Sequence, residues 1–475
     1  MKRRTSIVAT LGPATDRPGV LEKLIEAGLD VARINFSHGA AEEPRSRIRQ
    51  LRKLAAERKR NVAVLADLPG PKLRVLLKEP TLLEAGRSVT LALKPAVTAD
   101  LHLTEPEALA KIKTGQRVLM DDGRLQARVT GVNGDVVNLN VEVGGTLMPN
   151  KGFNLPDTEL TIPAVTMRDR EAIAVAVEAK ADWLALSFVR DASAAHELRD
   201  VVRGYNVEIP ILAKIERPEA VKEAAEIIEG FDGIMVARGD LGVEIPLERV
   251  PHVQKRLIQQ ARAAGKPVIT ATDMLDSMRK NPRPTRAEVS DVANAVYDGT
   301  DAVMLSGETA VGDYPVETLA CMHRILMEAE SHQADDRPRQ VSVPRGGLID
   351  HITHCVCELA LETGADAIIT PTITGRTARL VARHRPRSAI IAVATDEAIL
   401  RRLAVVWGVQ AVGVPFPIRR GDDRLEASVR AAFLGGVIRA GALAVVMAGH
   451  PTEGGEGVPT IRIVRVGADG RSHEV

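Results

Sequence analysis

ILAKIERPEAV (211–221), GIMVARGDLGVE (233–244), PVITATDMLDSM (267–278) and AVMLSGETA (302–310) are short apolar runs, each closing on charged or hydroxylated residues at a regular spacing. Each has the length and β-branched bias of a buried strand. Helix-like sequence, EAVKEAAEIIEG (219–230) and VPHVQKRLIQQARAAG (250–265), lies between them. The result is a βαβ cadence. A strand inside a parallel sheet is covered on both faces and must be apolar along its length. Lys214, Glu216, Arg238, Asp240, Thr272, Ser306 and Glu308 are therefore expected at strand ends, gathered at one rim.

Working outward, the same cadence opens the chain. SIVATLG (6–12) reads as a strand, PGVLEKLIEAG (18–28) as a helix closed by Gly28, DVARINFSHG (30–39) as a second strand, and 40–59 as a second helix. NVAVLADLPGPK (61–72) is a third strand ending on Asp67. Helix DREAIAVAVEAKA (169–181), strand DWLALSFV (182–189) and helix ASAAHELRDVVRG (192–204) then lead into the opening stretch. Eight βα units match a closed (β/α)8 barrel of the TIM type, whose chemistry sits at the C-terminal strand ends.

Between the third and fourth strands, alternation replaces the helical period in RSVTLALKP (87–95) and QRVLMDDGRLQARVTGVNGDVVNLNVEVGG (116–145), with hairpin signals at DDGR and VNGD. This predicts an inserted all-β lid. SHQADDRPRQVSVPRG (331–346) reads as a linker. Beyond it ADAIITPT, SAIIAVAT, VQAVGVP, ALAVVMAG and TIRIVRVG predict a C-terminal α/β domain, the last an edge strand by its alternation. The expected division is barrel 1–71, lid 72–166, barrel 167–335 and C-terminal α/β regulatory domain 336–475.

At 475 residues the chain exceeds one core. Lys plus Arg (63) balance Asp plus Glu (62), so no global basic field argues for nucleic acid or a membrane surface. Aromatics, 2% of residues, leave few platforms for stacking bases. No run approaches the roughly 20 apolar residues of a membrane span, and the basic start MKRRTSIVATLG lacks a signal-peptide core. A soluble, cytoplasmic protein is expected. Three cysteines (Cys321, Cys355, Cys357) make no disulfide framework. HITHCVC (351–357) is either a metal cluster or part of an amphipathic helix packing its thiols as core, and the core reading is favoured because no second ligand pair has zinc-finger spacing.

Glu216 and Asp240, just past neighbouring strands, suit one magnesium ion held by two carboxylates, water and substrate oxygens, with surface ion pairs as the alternative. Lys214 shares a face with Glu216 and, with the fork of Arg33, forms an anion clamp. Gly239 turns backbone N–H groups toward the rim, where they suit a carboxylate. Thr272 is either a further ligand there or a helix N-cap. One divalent ion, two cations and a carboxylate seat fit metal-assisted phosphoryl transfer involving a small carboxylic acid. Neither a P-loop nor a kinase glycine loop is present.

IVATLGPAT (7–15), ARINFSHG (32–39), LSFVR (186–190), AKIER (213–217), GIMVARGDLGVEIP (233–246), ITATDMLDSM (269–278), residues 281–317 and TGRTARLVARHRPRSAIIAV (374–393) together closely resemble the pyruvate kinase family. The resemblance implies transfer of phosphoryl from phosphoenolpyruvate to ADP, giving pyruvate and ATP, in glycolysis. It makes Glu216 and Asp240 ligands of Mg2+ (or Mn2+). Lys214 would stabilise the phosphoryl in flight and Arg33 would hold the phosphate. Gly239, Asp240 and Thr272 would seat the carboxylate, Thr272 also lying near the proton relay to the enolate. Asn35, Arg74 and Arg168 would meet the nucleotide. The β module would close as a lid, and the enzyme would be an allosteric homotetramer.

Asn35, Ser37, Asp67 and Leu68 match the family's monovalent-cation pocket, but Lys72 stands where potassium-dependent members have Glu. Its ammonium is expected to replace K+, making potassium unnecessary. Asp273 replaces the family's Gln, Arg168 a Lys and Leu68 a Thr. Thr372, Thr374, Gly375, Arg376 and Thr377 form a turn that either seats a phosphorylated effector, a sugar phosphate or AMP, or simply caps its helix. A magnesium lyase or aldolase acting on oxo-acids would share the barrel and metal pair but need neither lid nor Lys214. A catalytically silent effector-binding scaffold would not need intact Arg33, Lys214, Glu216, Asp240 and Thr272.

Overall fold

Successive side chains of a strand point to opposite faces, and in the barrel this sorts them into two cores. The structure is a computed structural model and describes residues 2–37, 42–160, 162–336, 347–415, 423–448 and 460–474. Eight parallel strands close the barrel in chain order: Ser6–Leu11, Val31–Asn35, Ala63–Asp67, Trp183–Leu186, Ile211–Ile215, Gly233–Ala237, Val268–Ala271 and Ala302–Leu305. Ile7, Ala32, Val64, Ala213 and Ile234 pack outward beneath the helices. Val8, Val31, Leu65, Trp183, Leu212 and Met235 fill the interior.

The interior cluster runs on into Val356, Ile368, Leu403, Val405 and Trp407 of the C-terminal part. That neighbour closes the base of the barrel. Trp183 Nε1 donates to the Arg402 carbonyl at 3.1 Å. The buried Arg385 donates to Asp301 (3.0 Å) and the Gly299 carbonyl (2.6 Å) while its guanidinium lies 4.7 Å over the Trp407 ring. The C-terminal strand ends lie at the opposite end of the barrel from this shared core.

Between the third and fourth barrel strands, short strands from Val75–Leu76 to Phe153–Asn154 form an antiparallel unit with its own core of Leu91, Val118, Met120, Leu139 and Val141. Its sheet runs in the order Phe153–Asn154, Arg117–Met120, Leu125–Asn133, Val136–Val143, Ser88–Ala92. Both hairpins fall where DDGR and VNGD place them, pairing Met120 with Leu125 and Asn133 with Val136. The C-terminal sheet has the order Val409–Gly413, Ala389–Ala394, Ala367–Pro371, Leu443–Ala448, Thr460–Val466, Ser472–Glu474.

Several expectations need correction. TIRIVRVG is not the edge: Ser472–Glu474 pairs antiparallel outside it, so one half-exposed face, not an open edge, produces its alternation. EAVKEAAEIIEG is split at Glu223 into Pro218–Lys222 and Ala224–Gly230. RGDLGVE is a helix, Arg238–Glu244, despite its glycines. Helix Pro315–Asp336 continues into the sequence expected as linker; the rest of that segment lies outside the described residues, as does nearly all of AGHPTEGGEGVPT. HITHCVC lies on helix Leu348–Glu362, where burial pushes the Cys357 thiol up to about 12. Cys355 is exposed, so the core reading holds for Cys357 and not for its neighbour. No group of three or more His, Cys, Asp or Glu is placed to hold a metal among the described residues. Nor is any described helix long and apolar enough to cross a membrane.

Trp183→Ala would empty the shared core, at a cost of about 3–5 kcal/mol for a large buried aromatic. Barrel and C-terminal sheet are expected to unfold together at lower urea. An unchanged midpoint would show that they do not share this core.

Candidate active site

One layer above the apolar interior, the inward face of the same strands becomes polar. Val8 is followed two residues on by Thr10, Val31 by Arg33, Leu65 by Asp67 and Leu212 by Lys214, all on one face by the strand period. Register sets Thr10 beside Arg33 and Asn35 beside Asp67.

Asp67 is the hub of this layer. It is 1% exposed, and its Oδ2 accepts from Arg33 Nε and Nη2, both at 2.6 Å. Its Oδ1 lies 3.3 Å from Lys214 Nζ. Arg33 also donates to Thr10 Oγ1 at 2.9 Å. Burial would raise the Asp67 pKa, but the charges of Lys214 and then Arg33 outweigh it and hold the carboxyl below its usual range. Lys214 shows the converse: burial would lower it, while Asp67 and Glu216 hold it above the ordinary lysine value.

Lys214 Nζ donates to Ser187 Oγ at 2.8 Å, and Ser187 in turn donates to the Leu68 carbonyl at 2.7 Å. Ser187 was not legible as a site residue, since nothing in LSFVR marks its serine. Gly70, at φ 66°, is required here: a Cβ would meet Ser187 Cβ at 2.7 Å. Phe188 follows with φ 55°, a left-handed backbone that costs on the order of 1–3 kcal/mol for a non-glycine residue. This conformation accompanies an N–H aimed at Glu216 Oε2, 2.6 Å away.

Glu216 is completely buried, and its Oε1 is paired with Lys214 Nζ at 2.9 Å. Burial raises its pKa, Lys214 partly offsets this, and the Asp240 charge adds to it. The two carboxylates thus feel one another. Asp240 is about a quarter exposed and opens to the mouth, with its Oδ1 2.8 Å from Lys72 Nζ. Burial would raise its pKa too, but Lys72 and then Lys214 hold it below the usual range. A buried carboxylate within the field of a second one, with lysines screening both, fits the donor set of a divalent cation.

On the far side of the mouth Thr272 and Asp273 both have positive φ, 73° and 55°. For a β-branched residue this is a genuine outlier. Arg238 Nη2 donates to the Thr272 carbonyl at 2.6 Å and Nε to that of Ala271 at 3.2 Å. Thr272 Oγ1 accepts from the Gly239 N–H at 2.6 Å, so it is not an N-cap of a following helix; the N–H expected to await a carboxylate is engaged by this hydroxyl. Burial, and then Asp276, raise the Asp273 pKa. Glu308, also buried, accepts from the N–H groups of Ser306 (2.6 Å) and Leu275 (3.2 Å) and ties the last two strand ends together.

The remaining expected residues are placed less centrally. Asn35 Oδ1 accepts from the Ser37 N–H at 3.0 Å. Lys72 reaches Asp240 and passes 5.7 Å over the Phe188 ring, so its ammonium is paired at the mouth and not within the group Asn35, Ser37, Asp67 and Leu68. Arg74 donates to the Asn150 carbonyl at 2.9 Å, and Arg168 is exposed on helix Met167–Glu178. Far below, Thr372 Oγ1 accepts from the Gly375 N–H (2.9 Å) and Thr374 Oγ1 from that of Arg376 (3.4 Å), with Thr377 in the first turn of the helix.

Because the Asp67 pKa is lower folded than unfolded, its ion pairs stabilise the protein fully above the unfolded carboxylate pKa. That stability is lost as pH falls through the folded value. Asp67→Asn takes the anion from the partly buried Arg33 and one of two from the buried Lys214, and is expected to cost about 3–5 kcal/mol at neutral pH. Its urea midpoint should also vary less with acidification than the parent's. A parent-like midpoint at pH 7 would contradict the role given to Asp67.

Comparison with known proteins agrees with this geometry. The family described as pyruvate kinase, barrel domain, matches residues 2–319, and pyruvate kinase, alpha/beta domain, matches residues 350–464. The chain is 43% identical over 465 residues to the pyruvate kinase of Geobacillus stearothermophilus, covering 95% of this chain and 78% of that one. It is 42% identical to that of Bacillus licheniformis (95% and 79%) and 41% to that of Staphylococcus aureus strain USA300 (95% and 78%). With both family domains matched in order, the first spanning the closed barrel, the chain belongs to the pyruvate kinase family.

Proposed function

We propose that this chain carries out pyruvate kinase chemistry at the barrel mouth, with Glu216 and Asp240 as the ligands of one Mg2+ (or Mn2+). The observation that carries the assignment is the fully buried Glu216, paired through Oε1 with Lys214 at 2.9 Å and close enough to Asp240 to feel its charge, since two carboxylates brought together at a rim suit a shared hard cation. A bound divalent ion would neutralise charge on the transferring group.

Around that ion the side chains position and screen. Asp67 holds Arg33 and Lys214 side by side, so two cations meet the phosphate of phosphoenolpyruvate. A β-phosphate oxygen of ADP attacks phosphorus, the bond from phosphorus to the enolate oxygen breaks, and the enolate carbon takes a proton to give pyruvate. Thr272 and the Gly239–Asp240 backbone seat the carboxylate, which means that the Gly239 N–H exchanges its bond to Thr272 Oγ1 for one to substrate. Asn35, Arg74 and Arg168 line the approach of the nucleotide as the lid closes.

Potassium is not required in this reading. Three of the four groups that match a monovalent-cation pocket, Ser37 being the fourth, already have protein contacts: Asn35 Oδ1 with the Ser37 N–H, Asp67 with Arg33 and Lys214, and the Leu68 carbonyl with Ser187. Lys72 adds a fixed positive charge at Asp240. The turn at Thr372–Thr377 is proposed to take a phosphorylated effector, a sugar phosphate or AMP, at the expense of its internal caps. A cytoplasmic homotetramer completes the proposal.

Lys214→Met is expected to lower turnover by at least a thousandfold, as loss of a charge aimed at the reacting group does, while Mn2+ still binds. Turnover within tenfold of the parent would remove that role from Lys214. Replacing all K+ with a bulky organic cation is expected to leave turnover within about twofold. A many-fold rise on adding K+ back would refute potassium independence.

A further inference from the structure

A second charged cluster lies one shell outside the mouth, where the lid rejoins the barrel, and the proposed chemistry does not use it. Arg217, next to Glu216, is 3% exposed, deeper than an unpaired arginine tolerates. Its Nη1 donates to Glu244 Oε1 at 3.2 Å, and its Nη2 reaches the carbonyls of Leu155 (3.3 Å) and Thr158 (3.4 Å) in the segment returning from the lid. Glu219 completes its contacts at 3.1 Å. Asn154, on the lid strand Phe153–Asn154, donates to the same Glu244 oxygen at 2.7 Å.

These contacts reach both proposed metal ligands. Glu216 adjoins Arg217 in the chain. Asp240 and Glu244 are four residues apart on the short helix Arg238–Glu244, one turn from each other. Beside this contact lies a cavity of about 520 Å³ between Arg117 and Asp157 of the lid and Lys222 and Arg249 of the barrel. Lid and barrel are held apart there and drawn together at Arg217.

We infer that Arg217, Glu244 and Asn154 form a mechanical coupling between lid and metal site, with Arg217 as a positioning residue that lets lid placement set the geometry of Glu216 and Asp240. The inference rests on the metal assignment proposed above. By linkage it runs both ways: whatever draws the two carboxylates together also draws in the lid, and a displaced lid weakens the grip on the ion.

Calorimetric titration of the whole chain with Mn2+, without substrates, reads this coupling independently of turnover. Asn154→Ala, a change on the lid alone, is expected to weaken Mn2+ binding about fivefold or more, within the usual span of coupling between sites. Arg217→Met should do at least as much, and the double variant no more than the stronger single one, because both cut one path. Hydrogen exchange at residues 153–160 should slow on adding Mn2+ to the parent and not to Asn154→Ala. Asn154→Ser gives the same reading if the alanine variant folds poorly. Parent-like Mn2+ affinity in the Asn154 variant, with binding lost in Glu216→Gln, would overturn the coupling and leave the metal assignment standing. Binding that survives Glu216→Gln would overturn the metal assignment itself.

Discussion

One buried carboxylate, Asp67, makes the mouth of this barrel possible. Two cations brought to the end of a low-dielectric barrel repel one another and lose their hydration, so neither Arg33 nor Lys214 would stay there unaided. Asp67 takes Arg33 on one oxygen and Lys214 on the other. It thereby fixes the separation of the two positive charges at the mouth. Sealing the opposite end with the C-terminal domain keeps water out of the interior beneath them.

The second carboxylate layer differs in kind. Asp67 is held by two cations, Arg33 and Lys214, whereas Glu216 shares Lys214 and has Asp240 as a neighbouring like charge, and Asp240 keeps a route to solvent. Two neighbouring carboxylates, one of them fully buried, leave negative charge at the rim that cations must offset. Lys72 offsets part of that charge at Asp240, and the Phe188 N–H offsets part at Glu216. The strained backbone at Phe188, Thr272 and Asp273 lies around the same mouth, where such cost is expected to collect.

Much of the fold was legible in the sequence because buried parallel strands admit only apolar residues, so each polar break marked a strand end. The eight barrel strands, the hairpins of the lid and the rim position of Lys214, Glu216, Asp240 and Thr272 all followed from that rule. What stayed hidden depends on partners distant in the chain. Ser187 looks like any strand-end serine until the fold sets it between Lys214 and Leu68. Arg238 is one more rim cation until Thr272 turns its carbonyl toward it. Lys72 was expected to fill a cation pocket, but only the lid connection determines that its side chain reaches Asp240. The edge assigned to TIRIVRVG failed because three residues at the very end of the chain, too short to signal a strand, pair outside it.

The central claim is that Glu216 and Asp240 grip a common divalent ion. Diffraction from crystals grown with Mn2+, collected at its absorption edge, tests this most directly. The account predicts an anomalous peak within about 2.0–2.4 Å of one oxygen from each carboxylate, at the distances hard-cation ligands adopt, with Lys72 withdrawn from Asp240. A peak bound to only one of the two, or none at the barrel mouth, would contradict it.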